Sequence, residues 1–228
     1  MKKVYLAPSN QTANTYVIGN TNEAVVCQEI ARKVEKLLSK YDCEVIVGKH
    51  TETLATKCAN AAALGADIYV SMHSNAFDTT ARGTCCYYCD TDSRAANSKK
   101  LAQAINNEMA KIFPKNRGLY TSSNLIDCYL PKMPSVICEV AFHDNKEDCT
   151  LILNNMDRIA QAYTDGIVKY LGLTAKVTKD NTADSYAKEA VNWAINKGIL
   201  KGNESGDYML HSPISRQDML VFLYRAIG

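Results

Sequence analysis

This chain reads as an α/β protein, a mostly parallel sheet flanked by helices with a small helical module at its C-terminal end, and three observations carry that reading. Apolar, β-rich runs alternate with segments whose apolar residues recur every three or four positions, as strands joined by covering helices require. Two of those runs end in chemistry: Ile68-Tyr69-Val70 leads to His73, and Pro134 to Val140 carries Glu139. After Leu173 the sequence turns polar and aperiodic before helical patterning resumes. The predicted organisation is a domain at 1–173, a linker at 174–185 and a module at 186–228.

The elements follow in order. Val4 to Ala7 reads as a buried strand opening onto a polar loop, Pro8 to Thr21. From Glu23, Val26, Ile30, Val34, Leu37 and Tyr41 mark one face of a helix. Glu44 to Val47 is a short strand, and Thr53 to Leu64 an Ala-rich helix closed by Gly65. The His73 strand comes next, then a strand at Gly83 to Tyr88 and a helix from Ser93 to Phe113 stopped by Pro114. Asn116 to Tyr129 has no clear period and reads as a loop over the site with a short strand. Ser135 to Val140 is strand, and Met156, Ile159, Tyr163, Ile167 and Leu171 make a last amphipathic helix ending at Gly172. In the module, a helix over Tyr186 to Asn196 precedes an extended piece at Tyr208 and a helix from Ser215.

At 228 residues the chain can bury a proper core. A net charge of +2 is too small to argue for a nucleic-acid partner. No apolar run is long enough for membrane insertion. Met1-Lys2-Lys3 runs straight into the first strand, so the reading is synthesis in the cytoplasm without a secretion signal. Nine cysteines, mostly inside apolar runs, suit a reducing compartment and buried thiols. Cys86 and Cys89 form a CxxC with no second pair, which is weak support for zinc or redox chemistry.

Ligands of an open α/β sheet sit beyond the carboxyl ends of its strands. Glu23 at a helix start and His73 and Glu139 at strand ends therefore suggest a metal-assisted hydrolase, with Glu23 and His73 on the metal and Glu139 moving protons. Each has a plainer reading: Asn20 and Glu23 have capping-box spacing, His73 can be a hydrogen-bonded surface histidine, and Glu139 can pair with Arg117 or Lys132. Asn75 and Arg82, close to the same strand ends, are placed to meet substrate carboxylates or amides.

The stretches SMHSN at His73, ARGTCCYY followed by SKKLAQAI, NRGLY, and MPSVICEVAFHDN at Glu139 resemble, in this order, the zinc-dependent N-acetylmuramoyl-L-alanine amidases of the Amidase_3 type over roughly residues 3 to 172. The resemblance implies a peptidoglycan substrate cut between N-acetylmuramic acid and L-alanine, a Zn2+ cofactor held by Glu23 and His73, and Glu139 as the catalytic glutamate. One departure stands out. The family supplies a first histidine ligand after strand one, where this chain reads Leu6-Ala7-Pro8-Ser9-Asn10-Gln11. His143 is the leading substitute; Gln11 is the alternative, Asn10 and Asp144 are weaker ones, and loss of the metal is a further possibility.

From about Tyr186 onward, Gly-Ile-Leu-Lys-Gly, Gly-Asp-Tyr and Pro-Ile-Ser-Arg resemble a single S-layer homology motif. That resemblance implies binding of a cell-wall polymer, with Trp193 and Arg216 as contact residues, and a single copy invites homo-oligomerisation. The whole reads as an endolysin or autolysin acting at the wall after release, the alternative being a catalytically lapsed peptidoglycan-binding protein.

Overall fold

Strand β1 (Lys2–Pro8) alternates its side chains between two cores, Val4 and Leu6 facing one way and Tyr5 and Ala7 the other. It lies second from one edge of a sheet of six strands with β2 (Cys43–Val47), β3 (Ile68–Asn75), β4 (Thr84–Tyr88), β5 (Asn116–Thr121) and β6 (Ser135–Phe142), in the order β2-β1-β3-β6-β4-β5. β2, β1, β3 and β6 run parallel; β4 pairs antiparallel with β6 and carries β5 parallel to itself. This computed structural model describes residues 1–176 and 179–227 and divides into two units, Met1–Ala175 and Lys176–Gly228.

The connections explain where the site lies. From β1 the chain passes through helix α1 (Glu23–Leu38) to β2 on one side, then through α2 (Leu54–Ala63) to β3 on the other. That reversal opens a crevice at the carboxyl ends of β1 and β3, the switch point at which open sheets bind ligands. Helices α1, α3 (Ala95–Met109) and α6 (Met156–Leu171) close one face over Val4, Leu6, Val70, Val136, Ile105 and Tyr163. The opposite face is covered more narrowly: α2 and the four-residue α4 (Ile126–Tyr129) shelter Tyr5, Ala7 and Tyr69. Farther along that face Tyr87 and Tyr120 stack at 5.3 Å beside Ile137, and Tyr120 remains 39% exposed.

Several expectations need correction. The helix start near Glu23 is capped by Asn22, whose Oδ1 accepts from Val25 N, while Asn20 takes φ +47 outside the helix. The stretch after Asn116 holds the short strand expected there, β5, and adds the helix α4 where only loop was expected. An additional helix, α5 (Lys146–Asn154), starts at Asn145, whose side chain accepts from Glu147 N and Asp148 N. Its only wholly buried apolar residues are Cys149 and Ile152, too few to show a period.

The second unit consists of α7 (Lys188–Asn196) and α8 (Arg216–Ile227), neither with a buried side chain among its described residues. The strand expected at Tyr208 does not form. Gly206 and Met209 take positive φ, and Asn203 and Asp207 accept backbone N–H groups there, so side-chain-capped turns replace extended chain. Of the predicted linker, Val177 and Thr178 lie outside the described residues, whereas Ala175 still bridges to Tyr41 in the first unit.

Candidate active site

Strand β3 sends Tyr69, Ser71 and His73 to the same face, two residues apart. His73 is 6% exposed, and its two ring nitrogens meet two different carboxylates. Glu23 Oε1 lies 2.8 Å from Nδ1, and Asp127 Oδ2 lies 3.6 Å from Nε2, an ion-pair distance longer than a hydrogen bond. Gln11 reaches the Nδ1 side as well, its amide nitrogen 3.4 Å away. Asn14 ties this side together by donating from Nδ2 to Gln11 Oε1 and to Glu23 Oε2, each at 2.8 Å. Across the β3–β6 pairing, Glu139 stands opposite His73.

The charges are strongly coupled. Burial opposes an imidazolium at His73, but the Asp127 and Glu23 carboxylates, aided by Glu139, push it up to about 10. Burial likewise works against ionised Glu23 and Asp127; contact with His73 outweighs it and holds both carboxyls below their usual range. Glu139 differs. Burial pushes it up to about 7, with His73 pulling down and Glu23 pushing up. Its Oε2 is sealed from solvent and accepts no hydrogen bond among the described residues. A buried carboxylate oxygen without a donor marks a place where a further group belongs.

The other expected residues fall elsewhere. His143 is 2% exposed and does not join the Nδ1 side of His73. Its ring stacks on Tyr16 at 5.1 Å, and its Nδ1 lies 2.9 Å from Ser74 Oγ and 3.1 Å from the Ser74 carbonyl. Ser74 follows His73 and points to the opposite sheet face, which is why proximity in sequence misleads here. Asp144 holds a loop, its Oδ2 accepting from Phe77 N and Thr79 N. Asn10 donates to the Glu52 carbonyl. Asn75 ends β3 with its Oδ1 bonded to Ala76 N. Arg82 is tied through Nε to Asp148 at 3.2 Å and through Nη1 to Glu147. Glu139 makes no ion pair with Arg117 or Lys132 among the described residues, and Arg117 sits over the Phe142 ring. Trp193 is 53% exposed and Arg216 is exposed, both in the second unit.

Asp127 escaped the sequence reading. It is 1% exposed and lies on α4, inside the stretch without a period. Its neighbours Ile126 and Cys128 look like ordinary core residues, so only a lone acid within an apolar run could have drawn notice.

The donors present suit a zinc ion on the Nδ1 side of His73: an imidazole nitrogen, the Glu23 carboxylate and the Gln11 amide, with Glu139 and its unsatisfied oxygen at the paired position on β6. The amide is the weak member. No three His, Cys, Asp or Glu side chains among the described residues are grouped to hold an ion.

Residues 9–169 match the family model for N-acetylmuramoyl-L-alanine amidase, Amidase_3. The chain belongs to that amidase family. It is 32% identical over 174 residues to N-acetylmuramoyl-L-alanine amidase LytC of Bacillus subtilis (strain 168), covering 73% of this chain and 35% of LytC. The endolysin of Bacillus phage SPP1 is 27% identical over 163 residues, covering 68% of this chain and 60% of the endolysin. The chain thus spans about a third to three fifths of the length of the curated relatives it matches. Among solved amidases, the catalytic domain of CwlV from Bacillus (Paenibacillus) polymyxa var. colistinus matches with TM-score 0.67 and 25% identity over 76% of this chain and 100% of that one. An amidase from Clostridium difficile 630, at TM-score 0.68 and 24% identity over 75% of this chain and 97% of that one, shares the fold.

Proposed function

We propose that the first unit hydrolyses the amide between the lactyl group of N-acetylmuramic acid and L-alanine in peptidoglycan. The observation that carries this reading is the convergence of Glu23 and Gln11 on His73 Nδ1, with the unpartnered Glu139 carboxylate opposite on β6. His73, Glu23 and Gln11 would hold a zinc ion, which when bound would supply Lewis acidity and lower the pKa of water. Glu139 accepts a proton from the attacking water and delivers it to the L-alanine nitrogen as the carbon–nitrogen bond breaks. A carboxyl raised to about 7 by burial is matched to both halves of that task. Asn14 fixes Glu23 through its bond to Oε2 and engages Gln11 Oε1, while Gln11 Nε2 faces His73 Nδ1, so ligation by Gln11 requires its amide to turn and present Oε1 to the ion. The substrate lies along the less covered sheet face, past Glu139 toward the Tyr87–Tyr120 stack, with Asn75 at the mouth. Arg82 serves this site only through the loop it fixes.

The second unit, in this reading, attaches to a cell-wall polymer through Trp193 and Arg216 and associates with other copies through the exposed apolar residues of α8, Leu220, Leu223 and Tyr224. The protein then acts at the wall after release, as an endolysin or autolysin.

The test is mass spectrometry of purified walls after digestion. Stem peptides with a new free L-alanine amino group, alongside glycan with intact lactyl groups, are expected. Walls that bind the protein and yield no such peptide would leave the weak amide donor as the mark of a lapsed enzyme that only binds.

A further inference from the structure

The carboxylate behind His73 has no place in the mechanism above, and its surroundings are unusual for a structural acid. Three groups supply hydrogen bonds to Asp127: Tyr69 Oη at 2.9 Å, Ser71 Oγ at 2.5 Å and, more weakly, Cys58 Sγ at 3.6 Å. Tyr69 and Ser71 lie on the strand and face that carry His73, so β3 presents two donors to the acid and then the imidazole. A neutral amide could satisfy those donors at lower desolvation cost, whereas a buried carboxylate needs a cationic partner. The His73 Nε2 atom lies 3.6 Å from Asp127 Oδ2, and the buried Lys57 amine adds positive charge to its surroundings. Lys57, also buried, gives its amine to the Pro8 carbonyl.

We propose that Asp127 is a positioning residue, which holds His73 with the proton on Nε2 and so presents the Nδ1 lone pair to the metal beside Glu23 and Gln11. This rests on the zinc reading above. Asp127 acts from the far side of the ring and is not itself a ligand, because Nδ1 and Nε2 face different carboxylates and one ion cannot take both. Carboxylate–histidine–metal arrangements of this kind raise the basicity of the ligating nitrogen. Here that basicity matters more than usual, since the third donor is an amide.

The experiment measures zinc affinity of the full chain by chelator competition, for the parent and for Asp127→Asn, together with thermal unfolding of both metal-free proteins. Asp127→Asn is expected to bind zinc roughly 10- to 100-fold more weakly. Equal affinity in the two would overturn the proposal and leave the zinc reading intact; a parent that binds no zinc would overturn both. In parallel, nitrogen-15 histidine spectra of the zinc-loaded parent need no variant and so do not depend on the variant folding. A protonated Nε2 with metallated Nδ1 at His73 is expected, and metallated Nε2 would overturn the proposal.

Discussion

At the level of single residues, the site separates groups that carry chemistry from groups that carry structure. Glu139→Gln removes the carboxyl to which proton transfer is assigned while keeping shape, so hydrolysis should fall by about 10²- to 10⁴-fold with zinc content unchanged, measured by peptide release and elemental analysis. Gln11→His should tighten zinc at least about tenfold, since imidazole is the better donor. His143→Ala should leave zinc affinity alone and cost about 1–3 kcal/mol of stability in denaturant titrations, because it empties a stacked, hydrogen-bonded position. Equal effects of Gln11→Ala and His143→Ala on zinc would contradict this assignment. Glu23, His73 and Glu139 were legible as candidates because strand ends and a helix start expose residue types with obvious chemistry. Asp127 was not, and the sequence left the third donor open between His143 and Gln11, because each depends on which face of the sheet a side chain takes after the chain has turned.

Elements are held by a few specific contacts that can be tested separately. Gly166 on α6 has no room for a side chain: a Cβ there would sit 2.8 Å from Ile105 Cα on α3, backbone that cannot move aside. Gly166→Ala should therefore destabilise by about 1–3 kcal/mol, as overpacking does, read from the shift of the denaturant midpoint. Asp67 fixes the start of β1, accepting from Lys3 N at 2.8 Å and from Lys2 Nζ at 2.9 Å. Burial works against its charge, but these bonds hold its carboxyl below the usual range. A lowered carboxyl contributes stability that is present above its unfolded pKa and is lost as pH falls through the folded value. Asp67→Asn should thus cost about 1 kcal/mol near neutrality, and progressively less as pH falls below the usual carboxylate range. Five of the six strands and the long helices were readable from apolar runs and period, and β5 only as a short strand within an aperiodic stretch. α4 was not, because four residues are too short to repeat a face, and α5 was not, because its only buried apolar residues are Cys149 and Ile152; the Tyr208 turn was missed because its conformation follows from Asn203 and Asp207 capping their own backbone.

For the molecule as a whole, the two units differ in how their apolar residues are used. The first closes its own core on both sides of the sheet, whereas α7 and α8 leave Trp193, Leu220 and Tyr224 open to solvent. The first unit alone, ending at Ala175, should fold and keep its zinc, and it should lose adhesion to purified walls in sedimentation assays. Retained adhesion would place wall binding in the amidase unit instead. No helix among the described residues is long and apolar enough to cross a membrane. The polar stretch after Leu173 made this division visible in sequence; what the second unit binds depends on surface chemistry that helical period does not encode.

The central claim is that one zinc ion sits between His73, Glu23 and Gln11 beside Glu139. X-ray absorption at the zinc edge of the loaded protein tests it most directly. The expected first shell holds one imidazole nitrogen at about 2.0–2.1 Å with the remaining donors oxygen. A shell with two imidazoles, or with sulfur from the buried cysteines, would contradict it.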